Sequence, residues 1–329
     1  MRVALFVADD FSLPLCNYLA NENLLACLVT QPDRPRGRGK KIEKLPVREV
    51  GDKCGAPVLT PTSLNDENFK AEFEKIEIDI PLVSAYGLYI PKWIRDWQPF
   101  PCINVHPSLL PRWRGAAPVR RTLMAGDTKT GVVLHFTERK MDTGDIIMVS
   151  GDYEIDINQN HEELRDALSY ESVNLVRDFL EKLQNLPVNE IEKTTGHSGQ
   201  TRIRNSFDCR KQDDNLATLA PKVQKSETVI NWELSAMEIH NMIRALSPAP
   251  GASTGNSQRP LKILKSEPVG FCGIAALGEI ISDTGELVAA CGSGAIRLIL
   301  FKPAGKNAID AVDFLNGYRV KKGDLISNF

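Results

Sequence analysis

The sequence lacks the cysteine pairs that staple small secreted folds or hold zinc. Its seven cysteines, at positions 16, 27, 54, 102, 209, 272 and 291, form no Cys-x-x-Cys pair and no His–Cys grouping with zinc-ligand spacing. Buried, reduced thiols are therefore expected, with no metal. No apolar run is long enough to span a membrane, and Asp9 and Asp10 cut short the one near the N-terminus. A cytoplasmic location is expected. Nor is there a surplus of one charge: the formal net charge is −2, which excludes coating a nucleic acid through bulk charge and leaves only local basic patches. The turn after the first apolar run reads VADDFSLP and has no glycine pattern for a dinucleotide pyrophosphate, so a nicotinamide cofactor is not expected.

What is present is ordinary core-forming material. The chain has 329 residues, of which 42% are hydrophobic and 25% charged, enough for two domains without staples. Val3–Ala8 and Leu24–Thr30 are unbroken apolar runs, as in strands covered on both faces, and a helical stretch at Leu13–Asn21 separates them. This order opens an α/β fold with a Rossmann-like, open and mostly parallel sheet. Helices are predicted near Val47–Cys54 and Asn65–Lys75, at Pro118–Ala125 and at His161–Gln184, and strands at Pro57–Leu59, Ile76–Ala85, Cys102–Val105, Gly131–Phe136 and Ile146–Val149. Pro81 should leave its strand short or bulged, because a central strand uses every backbone N–H. Residues 1–187 are expected to form this first domain and 188–215 a polar linker. Residues 216–329, with a helix at Ser235–Arg244 and short glycine-punctuated strands, should form a small OB-like β-barrel.

One constellation carries chemistry. Asn104 and His106 alternate on an extended segment and so point to one face, at the strand ends where open α/β sheets bind ligands. Asp142, in the loop KMDTGD between two strands, could fold back over the same edge. Together an amide, an imidazole and a carboxylate could meet an oxyanion and move a proton. Singly, each has an ordinary structural reading as a strand histidine, a turn asparagine or a loop cap. A second feature is the loop QPDRPRGRGKKIEK, where Arg34, Arg36, Arg38, Lys40 and Lys41 could neutralise phosphates while Gly37 and Gly39 let the backbone bend close. A further late cluster comprises Lys302, Lys306, Arg319, Lys321 and Lys322.

The run INVHPSLLPRWRGAAPVRRTLMAGDTKTGV, followed by MDTGDI, resembles the formyltransferase family that uses 10-formyltetrahydrofolate, and most of all its members that act on initiator methionyl-tRNA. The resemblance implies that Asn104, His106 and Asp142 form the catalytic triplet; the alternative acid, Asp145, matches less well. By the same resemblance Ser108, Leu109, Leu110 and Pro111 border the folate, and Ala85, Tyr86 and Gly87 lie beside the pterin pocket. The basic loop, with Arg36, Arg38, Lys40 and Lys41, would approach the acceptor end of the tRNA. LAPKVQKSETVINW and KPAGKNAIDAVDFLNG resemble the entry and the end of the C-terminal domain. The implied activity is formyl transfer to the α-amine of methionyl-tRNA for translation initiation, by a monomer, through a tetrahedral intermediate stabilised by Asn104 and His106 with Asp142 assisting proton transfer. The sequence departs from the family at its first turn, at Pro81 and at Ala249, where a tryptophan is common. Three other readings use the same residues: formylation of an amino-sugar nucleotide, hydrolysis of the folate donor, and a binding module that has lost catalysis.

Overall fold

The computed structural model describes residues 1–33, 35–36, 41–42, 44–185, 198–254 and 261–329. They form two compact units. The first comprises residues 1–116, 130–153 and 166–220, and the second residues 117–129, 154–165 and 221–329. The second unit thus includes two segments, 117–129 and 154–165, that precede the expected linker at 188–215. Among the described residues no helix is long and apolar enough to cross a membrane.

The first unit is built on a seven-stranded sheet. Its strands are β1 (Val3–Val7), β2 (Leu25–Val29), β3 (Val58–Leu59), β4 (Ile80–Ser84), β5 (Ile103–His106), β6 (Val133–Phe136) and β7 (Ile146–Val149), in spatial order β7-β6-β5-β4-β1-β2-β3. Strands β1 to β5 are parallel, while β6 and β7 add on antiparallel. Every residue of β1, β2 and β4 is buried, which explains why those runs show no polar alternation. Pro81 pairs with Ala4 without a bulge, and the ladder to β5 opens only at Leu82. The strand is short, as expected. Its proline precedes the point at which a missing N–H would break that ladder.

Helix Leu13–Asn21 starts with proline in its first turn, helix Pro46–Cys54 ends on Gly55 in the left-handed region, and helix Glu67–Phe73 is capped by Asp66, which accepts from the Phe69 N–H at 2.9 Å. The last of these helices sends Phe69 and Phe73 into a core in which Phe73 packs against Phe6, Trp93 and Trp97. At the unusual first turn the Asp9 carboxylate accepts from the Phe11 N–H and caps a short 3-10 turn. Cys16, Cys27 and Cys102 are buried, and burial pushes each thiol up to about 12. The expectation of buried thiols fails for Cys54 and Cys272, which are exposed.

Part of the expected linker is ordered. Residues 186–197 lie outside the described residues, but Ser198–Ser206 is a helix. It hangs on two apolar side chains four apart, Ile203 and Phe207, both buried. Phe207 packs on Phe179 of the long helix His161–Gln184 at 5.1 Å. A polar sequence with so narrow an apolar stripe gives little periodic signal, which is why the helix was not expected.

The second unit is an antiparallel sheet of the OB-like kind anticipated. Its strands are β8 (Ala252–Thr254), β9 (Leu261–Val269), β10 (Ile280–Ser282), β11 (Leu287–Ala290), β12 (Ala295–Pro303) and β13 (Ile309–Asp310), ordered β8-β9-β12-β11-β10 with β13 beside β12. Helix Ala236–Leu246 carries a complete capping box, Ser235 with Glu238, and packs Ile239, Ile243 and Leu246 into the core. Phe301 and Phe314 stack at 4.3 Å. Helix Pro118–Ala125 belongs here as well: the Arg120 guanidinium donates to the Ala245 carbonyl at 2.9 Å.

Candidate active site

The sheet has its topological switch point between β1 and β4, where successive connections turn to opposite sides. Crevices in open α/β folds form outside the carboxyl ends of such strands. The residues that follow β4 are Ala85, Tyr86 and Gly87. The Ala85 carbonyl accepts from the Ala8 N–H at 3.2 Å, the Tyr86 carbonyl accepts from the Gln31 side chain at 2.9 Å, and the Tyr86 ring meets Phe6 edge-on. Ala85 and Gly87 are exposed and Tyr86 is buried. His106 ends β5, so its side chain falls on the same edge of the sheet.

Asn104, His106 and Asp142 come together. The Asn104 amide nitrogen lies 3.2 Å from Asp142 Oδ1, and His106 Nδ1 lies 3.7 Å from Asp142 Oδ2. Asp142 also accepts from the Gly115 N–H at 2.9 Å. The loop that carries Asp142 returns tightly over Phe136: a Cβ on Gly144 would sit 1.8 Å from the Phe136 carbonyl oxygen, so only glycine fits two residues after the aspartate. Asp145, the alternative acid, pairs instead with Arg204.

A second histidine joins the group and was missed as a site residue. His135 stands directly opposite Asn104 in the β5–β6 register, with its Nε2 3.0 Å from the Asn104 amide nitrogen. Gln212 was missed as well. Its side-chain amide donates to the carbonyls of Asp142 (2.9 Å) and Gly144 (2.7 Å) and accepts from the buried Arg114 guanidinium at 2.9 Å. Arg114 also bonds Asp214 at 2.7 Å. For His135 a signal existed, its place on the same face of β6 as Val133, but it needed the strand register to be read. Gln212 lies in an aperiodic stretch and gave none.

Charge follows burial and neighbours. Burial pushes His106 below its ordinary value, and nearby His135 acts in the same direction. Asp142 and the hydrogen bond to the Trp113 carbonyl oppose this without reversing it. Burial alone would raise the Asp142 carboxyl, but His106, His135 and the Gly115 N–H outweigh it and hold it at about 2. The resting pair is thus a carboxylate beside a neutral imidazole. In that ring Nε2–H donates to the Trp113 carbonyl at 3.0 Å, which leaves the Nδ1 lone pair on the Asp142 side. Ligand atoms of His106, His135 and Asp142 lie within 4.8 Å of one another, a spacing that could hold a metal ion. The Asn104 amide already bonds two of the three.

The remaining expected residues divide. Ser108 is buried and its hydroxyl donates to the Arg112 carbonyl at 2.8 Å, Leu110 packs with Val133 and Ile146, and Leu109 and Pro111 are half-buried on the same loop. In the basic loop the backbones of Arg36 and Lys41 pair in a short antiparallel ribbon, whereas Arg34, Gly37, Arg38, Gly39 and Lys40 lie outside the described residues. Three non-glycine residues of the site, Ala85, Trp113 and Asp142, have left-handed backbones with φ of 50°, 66° and 53°. Conformations of that kind persist where surrounding structure over-determines them.

Residues 1–178 match the formyl transferase family and residues 222–319 the formyl transferase C-terminal domain. The methionyl-tRNA formyltransferase of Cereibacter sphaeroides is 34% identical over 99% of both chains, and that of Jannaschia sp. is 35% identical over 99% of this chain and all of its own. Among solved structures, an N-formyltransferase from Helicobacter canadensis, in complex with folinic acid and dTDP-3-aminofucose, superposes with a TM-score of 0.64 at 17% identity, covering 91% of this chain and 98% of its own. HypX from Aquifex aeolicus in complex with tetrahydrofolic acid gives 0.59 at 16% identity over 99% of this chain and 49% of its own. These two likenesses concern the fold. Matched by family models over both of its parts and by full-length relatives at a third identity, the chain belongs to the formyl transferase family, alongside the methionyl-tRNA formyltransferases.

Proposed function

We propose that this protein transfers the formyl group of 10-formyltetrahydrofolate to the α-amino group of initiator methionyl-tRNA. The observation that carries this reading is the meeting of Asn104, His106 and Asp142 at one edge of the sheet, with contacts of 3.2 and 3.7 Å. The relatives at a third identity are named for that reaction, and the solved neighbours bound to folates support a folate donor.

The chemistry follows from the donor set. The amine nitrogen adds to the formyl carbon, the carbonyl becomes an oxyanion, and one amine proton is lost. The bond from that carbon to the folate nitrogen then breaks, and the folate nitrogen takes up a proton. Neutral His106 receives the amine proton at Nδ1, and the Asp142 carboxylate stabilises the imidazolium so formed. Asn104 turns one amide N–H to the oxyanion, and the protonated imidazole supplies a second donor. The proton returns from this ring to the leaving nitrogen, so atoms and charge balance without a metal. Ala85–Gly87 and Ser108–Pro111 line the folate, and Arg36, Arg38, Lys40 and Lys41 meet tRNA phosphates.

The test is to incubate the purified protein with labelled 10-formyltetrahydrofolate and, in parallel, Met-tRNA, an amino-sugar nucleotide and buffer alone. Label on Met-tRNA supports the reading. Label on the sugar nucleotide alone, or free formate in every tube, rejects it.

A further inference from the structure

Asn104 is useful to the proposed reaction only if its N–H2 end, and not its carbonyl, faces Asp142 and the reacting carbon. Something must set that orientation, because the two ends of an amide are nearly the same size. The strand register supplies the candidate. Asn104 on β5 and His135 on β6 are direct cross-strand partners, and the His135 ring is buried.

The His135 ring has a fixed hydrogen-bonding sense. Its Nδ1 lies 2.8 Å from the Phe136 carbonyl oxygen, which can only accept, so Nδ1 carries the hydrogen. In the neutral ring Nε2 is then a bare lone pair, and it lies 3.0 Å from the Asn104 side-chain nitrogen. A carbonyl oxygen turned to that position would meet a lone pair, whereas an amide N–H meets an acceptor. With one N–H held by His135, the second is aimed at Asp142 Oδ1, 3.2 Å away. The longer bond is the one substrate can compete for, and the shorter one stays as the pivot.

We propose that His135 is a positioning residue, which fixes the Asn104 amide so that its second N–H, the one that bonds Asp142 at rest, can be presented to the formyl oxyanion. The proposal rests on the reading of the site given above. His135 Nε2 also lies 3.5 Å from Asp142 Oδ1, but its closer contact is to the Asn104 nitrogen, and it is through Asn104 that it acts on the oxyanion.

Three variants and one spectrum test this. His135→Leu, which has no acceptor, is expected to lower kcat by about tenfold to a hundredfold, as small misplacements at a reacting centre do, with KM for folate and Met-tRNA changed less than about twofold. His135→Gln, which can offer Oε1 to the same N–H, is expected to recover kcat to within about threefold of the native protein. In an Asn104→Ala background, His135→Leu should cause no further loss. A Leu variant with native kcat, a folded Gln variant as slow as the Leu variant, or additive losses in the double variant would each overturn the proposal. Side-chain 15N spectra near pH 8 read the contact without turnover. His135 protonated at Nδ1, with an Asn104 amide hydrogen bonded to Nε2, is expected, and the opposite tautomer rejects the pivot. If the native protein formylates nothing yet shows the expected spectrum, the functional reading has failed and the contact has not.

Discussion

Gln212 holds Asp142 by its backbone: the side-chain amide donates to the Asp142 carbonyl at 2.9 Å across 70 residues of sequence. The same nitrogen reaches the Gly144 carbonyl, and Arg114 fixes the other end of the amide. The acid of the site is therefore set by a segment of the chain well beyond the family's sequence motif. Gln212→Ala removes both donors and leaves two carbonyls to be satisfied by water. The expected result is a fall in kcat of about tenfold or more, with a stability loss of roughly 1–3 kcal/mol, read from single-turnover rates and urea unfolding. Native kcat in a folded variant would separate the bracket from catalysis.

Asn104→Ala, His106→Ala and Asp142→Asn should each slow transfer by roughly a hundredfold or more, the usual scale for losing an oxyanion donor or a general base. Near-native turnover in all three, measured with saturating Met-tRNA, would remove the proposed site.

The pH profile has a definite sign. In the proposed reaction His106 is a neutral base, and burial lowers its pKa, so the acid limb of kcat/KM should fall below pH 6.5, the ordinary imidazole value. Asp142 opposes that depression, and its removal in Asp142→Asn should move the limb of the residual activity further down. Stability follows linkage: the folded state binds fewer protons than the unfolded one at both groups. The His106 contribution is present above pH 6.5 and is lost as pH falls below it. That of Asp142 is present above its ordinary 3.8 and is lost as pH falls towards about 2. Urea midpoints between pH 2 and pH 8 check both.

Arg38→Ala should weaken use of Met-tRNA, leave folate KM unchanged, and flatten the salt dependence of tRNA binding by about one unit of slope. An unchanged slope would show that this loop is not a phosphate clamp.

Gly144→Ala should be more damaging than its size suggests. The added Cβ would lie 1.8 Å from the Phe136 carbonyl oxygen, which also accepts from His135. Backbone must shift, and both Asp142 and the His135 pivot shift with it. Loss of transfer together with a lowered thermal midpoint is expected.

Much of this was legible from residue order, and what was not has a physical cause. Helices Leu13–Asn21, Pro118–Ala125 and His161–Gln184 were anticipated at their observed ends, because proline or acidic starts and apolar spacing agree there. Asn104 and His106 could be put on one face because strand side chains alternate with period two. His135 was not read as part of the site, since its partner depends on an antiparallel register between strands about thirty residues apart, and a lone strand histidine looks like core. The Ser198–Ser206 helix escaped because Ile203 and Phe207 are too few for a periodic signal in a polar stretch.

The left-handed residues Ala85, Trp113 and Asp142 carry a consequence for anyone seeking a sturdier protein. Each holds a backbone shape that costs a side-chain-bearing residue about 1 kcal/mol or more, so the easiest gains in ruggedness lie at the candidate site itself. Swapping alanine 85 for glycine, for example, would relieve its torsion but loosen the rim beside the switch point. Selection for heat tolerance and selection for turnover would therefore pull these positions in opposite directions.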